Sequence, residues 1–534
     1  MIQSSGRQVS ISQIALPTEN GQHLAATLFK PKTATEENPA PFIVVVPGFQ
    51  RSKEALANIA IELSRRGFVV ASIDPYGQGF SSSSMSTRSA THEGYGLFAL
   101  VDYAASTGNL NYIDRSRIGA TGHSAGGNAA IRGANYFGRE AERTGAPSKL
   151  HSVFVSGYVL TLRKSVLKDV QSNIGVSYAL YDEGAFRNKL KNGDMRIAPE
   201  ALAVVNSGRG TGLKSIRAVV PGRFYGDLDK RALRVVHNEP LLHPFQPYNG
   251  EATANQIAYF EHVFNHSSGL ATHDQIWHWK ELFGLVAFVI SLIAIIPLGR
   301  ILLTTTTFHS LVHRVPEAAP VPTGTGRIIF WSLFFVGAAI ACASFIPMVD
   351  ISKSLFVAAS NRHQTWFFPQ RMNNPVMLWA LFNGLIGLAL FYLSYRFYGR
   401  MHGANPKNWG VRIDRNELVL TVIAALIIFS LYYLMLFFIN YLFQVDYRFW
   451  FIGARVFQPE MLILLGMYVP FFLVFFLANS LRVNAAMRFK DELEWKSMLL
   501  AGIANSLGLF FIIFIQYTVF SFTGTVYWTQ NWLY

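Results

Sequence analysis

The chain has 534 residues, 51% hydrophobic and 14% aromatic, with a formal charge of +14. That length allows more than one domain, and the single cysteine, Cys342, excludes a disulfide framework and a thiol mechanism. The positive charge fits anionic lipid surfaces and not nucleic acid, because no basic-aromatic binding motif accompanies it.

In chain order, residues 9–29 alternate in polarity and read as an antiparallel edge hairpin turning at Glu19-Asn20-Gly21. Residues 41–47 form a continuous apolar run, the pattern of a buried parallel strand. A helical period over 53–66 stops at Gly67; a second buried strand over 68–73 and a helix over 94–106 follow. Residues 117–127 read Arg-Ile-Gly-Ala-Thr-Gly-His-Ser-Ala-Gly-Gly, and Gly122-His123-Ser124-Ala125-Gly126 fits G-x-S-x-G. A short strand precedes this motif and a helix-competent run follows it, so the chain must turn tightly and Ser124 takes a strained backbone position. A β-carbon at Gly122 or Gly126 would collide across the turn. The geometry pushes the Ser124 hydroxyl clear of the sheet, at a helix N-terminus whose N–H groups favour a developing anion. Further strands are expected at 152–156, 174–180 and 233–237, the last before a helix over 252–264. Strands interleaved with helices imply a mostly parallel sheet covered on both faces.

Three landmarks then carry a resemblance: Pro47-Gly48-Phe49-Gln50, Asp74-Pro-Tyr-Gly77-Gln-Gly79-Phe-Ser81 and the turn at 122–127. With Tyr112-Ile-Asp-Arg-Ser-Arg-Ile-Gly, they make residues 10–266 similar to the α/β-hydrolase superfamily, in its dienelactone-hydrolase and serine-peptidase-like branch. One departure is that the family's usual His-Gly after the first core strand is Pro47-Gly48 here, a change of loop packing more than of chemistry. The resemblance implies a triad in the chain order Ser, acid, His. Ser124 as nucleophile needs a base, because its hydroxyl is protonated near neutral pH. His237 and His243 are the candidates; the resemblance favours His243, in the loop before the final helix, while His262 and His266 read as solvated surface residues. Asp182 after the 174–180 strand is the expected acid, with Glu183 the alternative, and its role is to hold the imidazole's tautomer and stabilise the imidazolium. Asp227 and Asp229 come too late and read as turn residues. The oxyanion hole is expected from the backbone N–H groups of Phe49 and Ala125. Asp74, Gly77 and Gly79 read as structural. With no metal-ligand cluster, Walker loop or dinucleotide fingerprint in the sequence, no metal and no cofactor is expected.

After residue 270 the composition breaks. Six apolar stretches, about 282–299, 328–349, 375–395, 418–443, 461–481 and 497–521, contain no Asp, Glu, Lys, Arg or His. Each is long enough to cross a bilayer. The expected organisation is an α/β-hydrolase domain, 1–270, followed by an all-α six-span transmembrane domain, 271–534, in a multi-pass protein of the plasma membrane. The spans' polar residues, Asn383, Asn440, Asn479, Asn505 and Gln516, read as joining helices, and the absence of ionisable residues there speaks against a pump. Loops on the face opposite the hydrolase hold twelve Lys and Arg (300, 314, 327, 396, 400, 407, 412, 415, 482, 488, 490, 496). Those on the hydrolase face hold five (353, 362, 371, 448, 455), or six with Lys280. The positive-inside rule therefore turns the hydrolase outward. Against this, residues 1–7 have no apolar signal-peptide core. The resemblance implies a missing or misassigned start; a cytoplasmic hydrolase is the alternative.

Only about seventeen residues, 157–173, separate two of the core strands, room for one short helix and not a full lid. Aromatic runs on the hydrolase face offer a cover instead: Trp277 and Trp279, 366–368, 447–451, and Tyr527, Trp528, Trp532 and Tyr534. They read either as an interfacial belt or as an apolar apron under the site. The function expected is a membrane-integral serine hydrolase cleaving a small-molecule or lipid-like acyl ester, thioester or amide, with the bilayer as partner. The alternative is a transporter or receptor whose hydrolase-like domain only binds ligand.

Overall fold

The computed structural model describes residues 1–18, 21–210, 213–315, 317–405, 409 and 413–524. Eight strands form one sheet: β1 (Val9–Pro17), β2 (His23–Pro31), β3 (Ala40–Val46), β4 (Val69–Ile73), β5 (Ile113–His123), β6 (Ser152–Ser156), β7 (Asn173–Ser177) and β8 (Arg234–His237). Their order is β1-β2-β4-β3-β5-β6-β7-β8. β1 and β2 pair antiparallel, as does β2 with β4, and every later pairing is parallel. The hairpin is as the alternation implies, although Glu19 and Asn20 of its turn lie outside the described residues.

The parallel strands are apolar on both sides because helices cover both faces. On one face lies α1 (Ala57–Arg65), entered through a 3-10 turn at Lys53–Leu56, so the 53–66 period is two elements. The long C-terminal helix of this part, here numbered after α2 (Leu97–Ser106), α3 (Ala125–Thr144) and α4 (Pro199–Ser207), is α5 (Gly250–Val263). Phe154, Ile257, Phe260 and Phe264 pack with Ile59 and Leu63 on the α1 and α5 side. Val44, Ile118, Ala130, Phe137 and Val153 pack on the α2 and α3 side. The strand expected at 174–180 ends at Ser177. Between Gly157 and Asn173 there is one helical turn, Lys164–Leu167.

Among the described residues six helices follow, each long and apolar enough to cross a membrane: α6 (Trp277–Leu303), α7 (Gly324–Leu355), α8 (Asn373–Phe397), α9 (Arg415–Phe443), α10 (Met461–Leu481) and α11 (Glu494–Thr523). They enclose the six apolar stretches read from the sequence. Asn383 Nδ2 donates to Ser344 Oγ at 3.2 Å and Arg482 Nη1 to Asn505 Oδ1 at 2.8 Å, so polar side chains do join neighbouring helices. The connection to α6 is tied down: the Glu62 carboxylate of α1 accepts the Ile276 and Trp277 N–H groups, and Arg66 donates to the carbonyls of Ala271 and Asp274.

Candidate active site

β5 ends at His123, and Ser124 takes φ 57, ψ −117 before α3 begins at Ala125. Such a backbone costs a non-glycine residue about 1–3 kcal/mol and is held only where the surroundings impose it. The surroundings are tight: a Cβ on Gly122 or on Gly126 would run into the Val46 carbonyl oxygen. Ser124 N–H donates to the Ser156 carbonyl at 2.8 Å, pinning the turn to β6. The Gly48–Phe49 turn lies alongside, since a Gly48 Cβ would stand 3.5 Å from Ser124 Cβ. Among the described residues, the Phe49 and Ala125 N–H groups have no hydrogen-bond partner in the turns and caps. They are free to meet an oxygen held beside Ser124.

Asp182 follows β7 and is buried; its Oδ1 accepts the Gly184 N–H at 2.7 Å and its Oδ2 lies 2.6 Å from His243 Nδ1. His243 opens a 3-10 helix, His243–Tyr248, rather than sitting in an open loop. Burial works against its charged form, but the Asp182 carboxylate outweighs it and Glu183 adds to the effect, so its pKa is raised above the ordinary histidine value. The His243 ring packs against His123, centroids 4.6 Å apart, beside the Ser124 turn. Among the described residues no hydrogen bond joins Ser124 Oγ to His243; such bonds commonly tighten only with substrate present.

His237 is placed elsewhere, its ring 6.3 Å from Phe154, and burial lowers its pKa to about 4. His262 is exposed and packs on Phe224. His266 corrects the sequence reading: it packs on Phe68 at 4.6 Å and its Nε2 contacts the Arg66 carbonyl at 2.6 Å, a bonded and half-buried group rather than a solvated one. Asp227 accepts the Asp229 N–H in a local turn. Asp74 is fully buried, accepting from Lys53 N and Nζ and from Phe80 N, with Gly79 wrapped on it at φ 57.

Glu183, the alternative acid of the sequence reading, has a different place here, and Gln246, Ser177, Glu239 and the packing of His123 had no signal in the sequence. Glu183 Oε2 accepts the His243 N–H at 2.9 Å, and its Oε1 accepts the Tyr517 hydroxyl of α11 at 2.6 Å. The Gln246 amide donates to Ser177 Oγ, which donates to Glu239, tying the 3-10 helix to the ends of β7 and β8. His123 is fully buried and its pKa is driven well down, by burial first and then by His243 and Arg51, so it is neutral near pH 7.

The aromatic runs divide between their two readings. Residues 447–451 lie in a small hairpin over 447–454, β9 (Tyr447–Phe449) with β10 (Ile452–Ala454), whose Trp450 stacks on Tyr248 at 5.4 Å and meets Phe245 edge-on at 5.6 Å. This part is an apron beside the site. Trp366 and Trp279 are instead exposed, as interfacial anchors would be. Tyr527, Trp528, Trp532 and Tyr534 lie outside the described residues.

Residues 3–190 match the family model described as PETase, PET hydrolase-like. No curated protein matches the chain. Similar solved structures include the α/β hydrolase GrgF of Penicillium sp. sh18, 20% identical over 27% of this chain and 45% of that one, TM-score 0.23. Dipeptidyl peptidase 4 of Porphyromonas gingivalis is 15% identical over 49% of this chain and 36% of that one, TM-score 0.35. Dienelactone hydrolase of Anabaena variabilis is 15% identical over 49% of this chain and 99% of that one, TM-score 0.33. The chain spans less than half the length of the first two and nearly all of the third. The sheet order and the serine turn define the fold here, and the family match agrees with them. The N-terminal part of the chain is an α/β hydrolase of the serine-hydrolase type, and its C-terminal part carries six helices that fit a membrane domain.

Proposed function

We propose that this protein is a membrane-integral serine hydrolase of acyl esters, with Ser124 as nucleophile, His243 as base and Asp182 orienting it. The observation that carries the reading is a buried carboxylate 2.6 Å from His243 Nδ1, beside a serine held at a strained strand-to-helix turn. In the reaction Ser124 Oγ bonds to the substrate's carbonyl carbon while its proton passes to His243 Nε2. The carbonyl oxygen gains the negative charge and is met by the N–H groups of Phe49 and Ala125, each such donor being worth about 10²–10³ in rate. The bond to the leaving group breaks as His243 returns the proton to it. Water then cleaves the acyl-enzyme by the same steps, restoring Ser124. The reading divides the chain near residue 270, with the helices anchoring the enzyme and the 447–451 hairpin lending it an apolar wall. Phe49, Phe245 and Phe451 expose ring surface around this region, which supports an amphipathic or lipid-like acyl substrate. A fluorophosphonate probe should label the full chain once, and Ser124→Ala should abolish labelling without loss of fold. Undiminished labelling of that variant would refute the assignment; absent labelling of the wild type would favour a ligand-binding receptor.

The hydrolase is proposed to face outward, on the loop charge bias. Lys407 and Arg412 of that count lie outside the described residues; Arg400, Arg482 and Arg488 belong to the same count by the alternation of the six helices. In a Cys342→Ser background, Trp366→Cys should react with an impermeant thiol reagent on intact cells, while Met401→Cys should resist it. Both residues are highly exposed, so access is set by the membrane side alone. The reverse pattern places the hydrolase in the cytoplasm.

A further inference from the structure

Guanidinium groups gather around the Gly48–Phe49 turn from two parts of the chain. Arg51 comes from the turn itself: its Cδ lies 3.8 Å from where a Gly48 Cβ would stand, a point 3.5 Å from Ser124 Cβ. Arg362 and Arg371 come from the loop between α7 and α8, with their Cζ atoms 5.6 and 6.0 Å from the centre of the Phe49 ring. Arg362 is held at φ 62, a strained backbone of the kind found at ligand clamps. Arg51 packs over Phe451 at 5.2 Å, and its Nη1 is buried with no hydrogen-bond partner.

The acids nearby are engaged elsewhere. Asp74 and Glu54 pair with Lys53 and Arg455, Asp446 with Arg448, Asp182 with His243, and Glu183 accepts from His243 and Tyr517. Among the described residues neither Arg51 nor Arg362 forms an ion pair with a carboxylate. Burial lowers the proton affinity of Arg51, the Tyr248 hydroxyl partly offsets this, and Arg448 lowers it further. Arg51 is a partly buried cation with no carboxylate partner among the described residues, and a bound anion would offset the cost of burying it. The guanidinium fork matches phosphate and carboxylate oxygens in pairs, and the loop bearing Arg362 joins two apolar helices of membrane-spanning length.

We infer that Arg51 and Arg362 form an anion subsite beside Ser124, and that the ester cleaved carries a phosphate or carboxylate group seated there. This rests on the hydrolase reading, since the subsite is placed by its distance to Ser124. The oxyanion of the reaction remains the charge of the backbone N–H groups; the arginines hold a charge the substrate already has. Two sources supply such a group, a lipid headgroup and a soluble acid.

The full chain in neutral detergent separates them with two matched pairs: dihexanoylphosphatidylglycerol against dihexanoylglycerol, and the p-nitrophenyl monoester of adipic acid against p-nitrophenyl hexanoate. The anionic member of at least one pair should be preferred in kcat/KM by about tenfold, the scale of one charge-assisted contact. Preference in the lipid pair alone identifies a headgroup phosphate, and in the adipate pair alone a soluble carboxylate. Arg51→Gln and Arg362→Gln should each lower the preference about tenfold through KM, while Arg362→Lys keeps most of it and Lys168→Gln, on an exposed surface, keeps all. Labelling of Ser124 reports that each variant is folded. No preference in either pair, or a preference that survives both Gln substitutions, overturns the inference. Calorimetric titration of Ser124→Ala protein with dihexanoylphosphatidylglycerol and with adipate reads the subsite without turnover: binding of either that Arg362→Gln weakens about tenfold supports the inference even where no ester is cleaved, and absence of both overturns it.

Discussion

Ser124→Ala and His243→Ala are each expected to lower kcat by about 10⁴-fold or more, and the double substitution to cost little beyond either alone. The reason is chemical. The serine hydroxyl is a poor nucleophile while it keeps its proton, and the imidazole does nothing for the ester without a nucleophile to deprotonate. Groups that act as one unit are therefore not additive. Steady-state kinetics of the two single variants and the double variant on one ester measures this. Costs that multiply would show that His243 serves some step other than activation of Ser124, and loss on His237→Ala equal to that on His243→Ala would remove the base assignment. Neither side chain carries the core, so the variants should remain folded, with labelling of His243→Ala slowed rather than structure lost.

Asp182→Asn should cost about 10⁴-fold in kcat at neutral pH, because the amide no longer stabilises the imidazolium or fixes the proton on Nδ1. It should also move the pH profile in a stated direction. In the wild type the raised pKa of His243 should put the acid limb of kcat/KM above the ordinary histidine value of about 6.5, since only the neutral ring could accept the serine proton. Activity is lost as pH falls through that limb. Without the carboxylate, burial is left opposed only by Glu183, so the residual activity should persist to lower pH. A limb that stays in place would mean that another group sets it. Burial of Asp182 makes the isosteric amide the informative variant, and the Gly184 N–H can still donate to its oxygen.

Much of this molecule is readable one segment at a time. The period of 2 in residues 9–17, the unbroken apolar run of β3, the mostly apolar run of β4 and the six long apolar stretches are each local patterns, and each became the expected element. Gly122 and Gly126 are legible for the same reason, since the spacing of two glycines about a serine fixes where a Cβ is tolerated over five residues. Boundaries were less legible where capping and packing compete with pattern: the strand after residue 173 stops at Ser177 because the following backbone turns to pair with Glu239 and Leu241 carbonyls.

The sequence by itself determined the strand-to-helix turn at Ser124, the alternating core that supports it and the six helices of membrane-spanning length, because all of these depend on side-chain period and on glycine spacing within one segment. Only the tertiary structure decided which histidine meets the acid, since Asp182 and His243 stand 61 residues apart and His237 was as near in the chain. It likewise decided that His266 packs on Phe68, that Tyr517 reaches Glu183 across 334 residues, and that Arg362 and Arg371 of the loop between α7 and α8 meet Phe49. Contacts between distant segments follow from how the sheet and the helices pack on each other, and no local period records that packing.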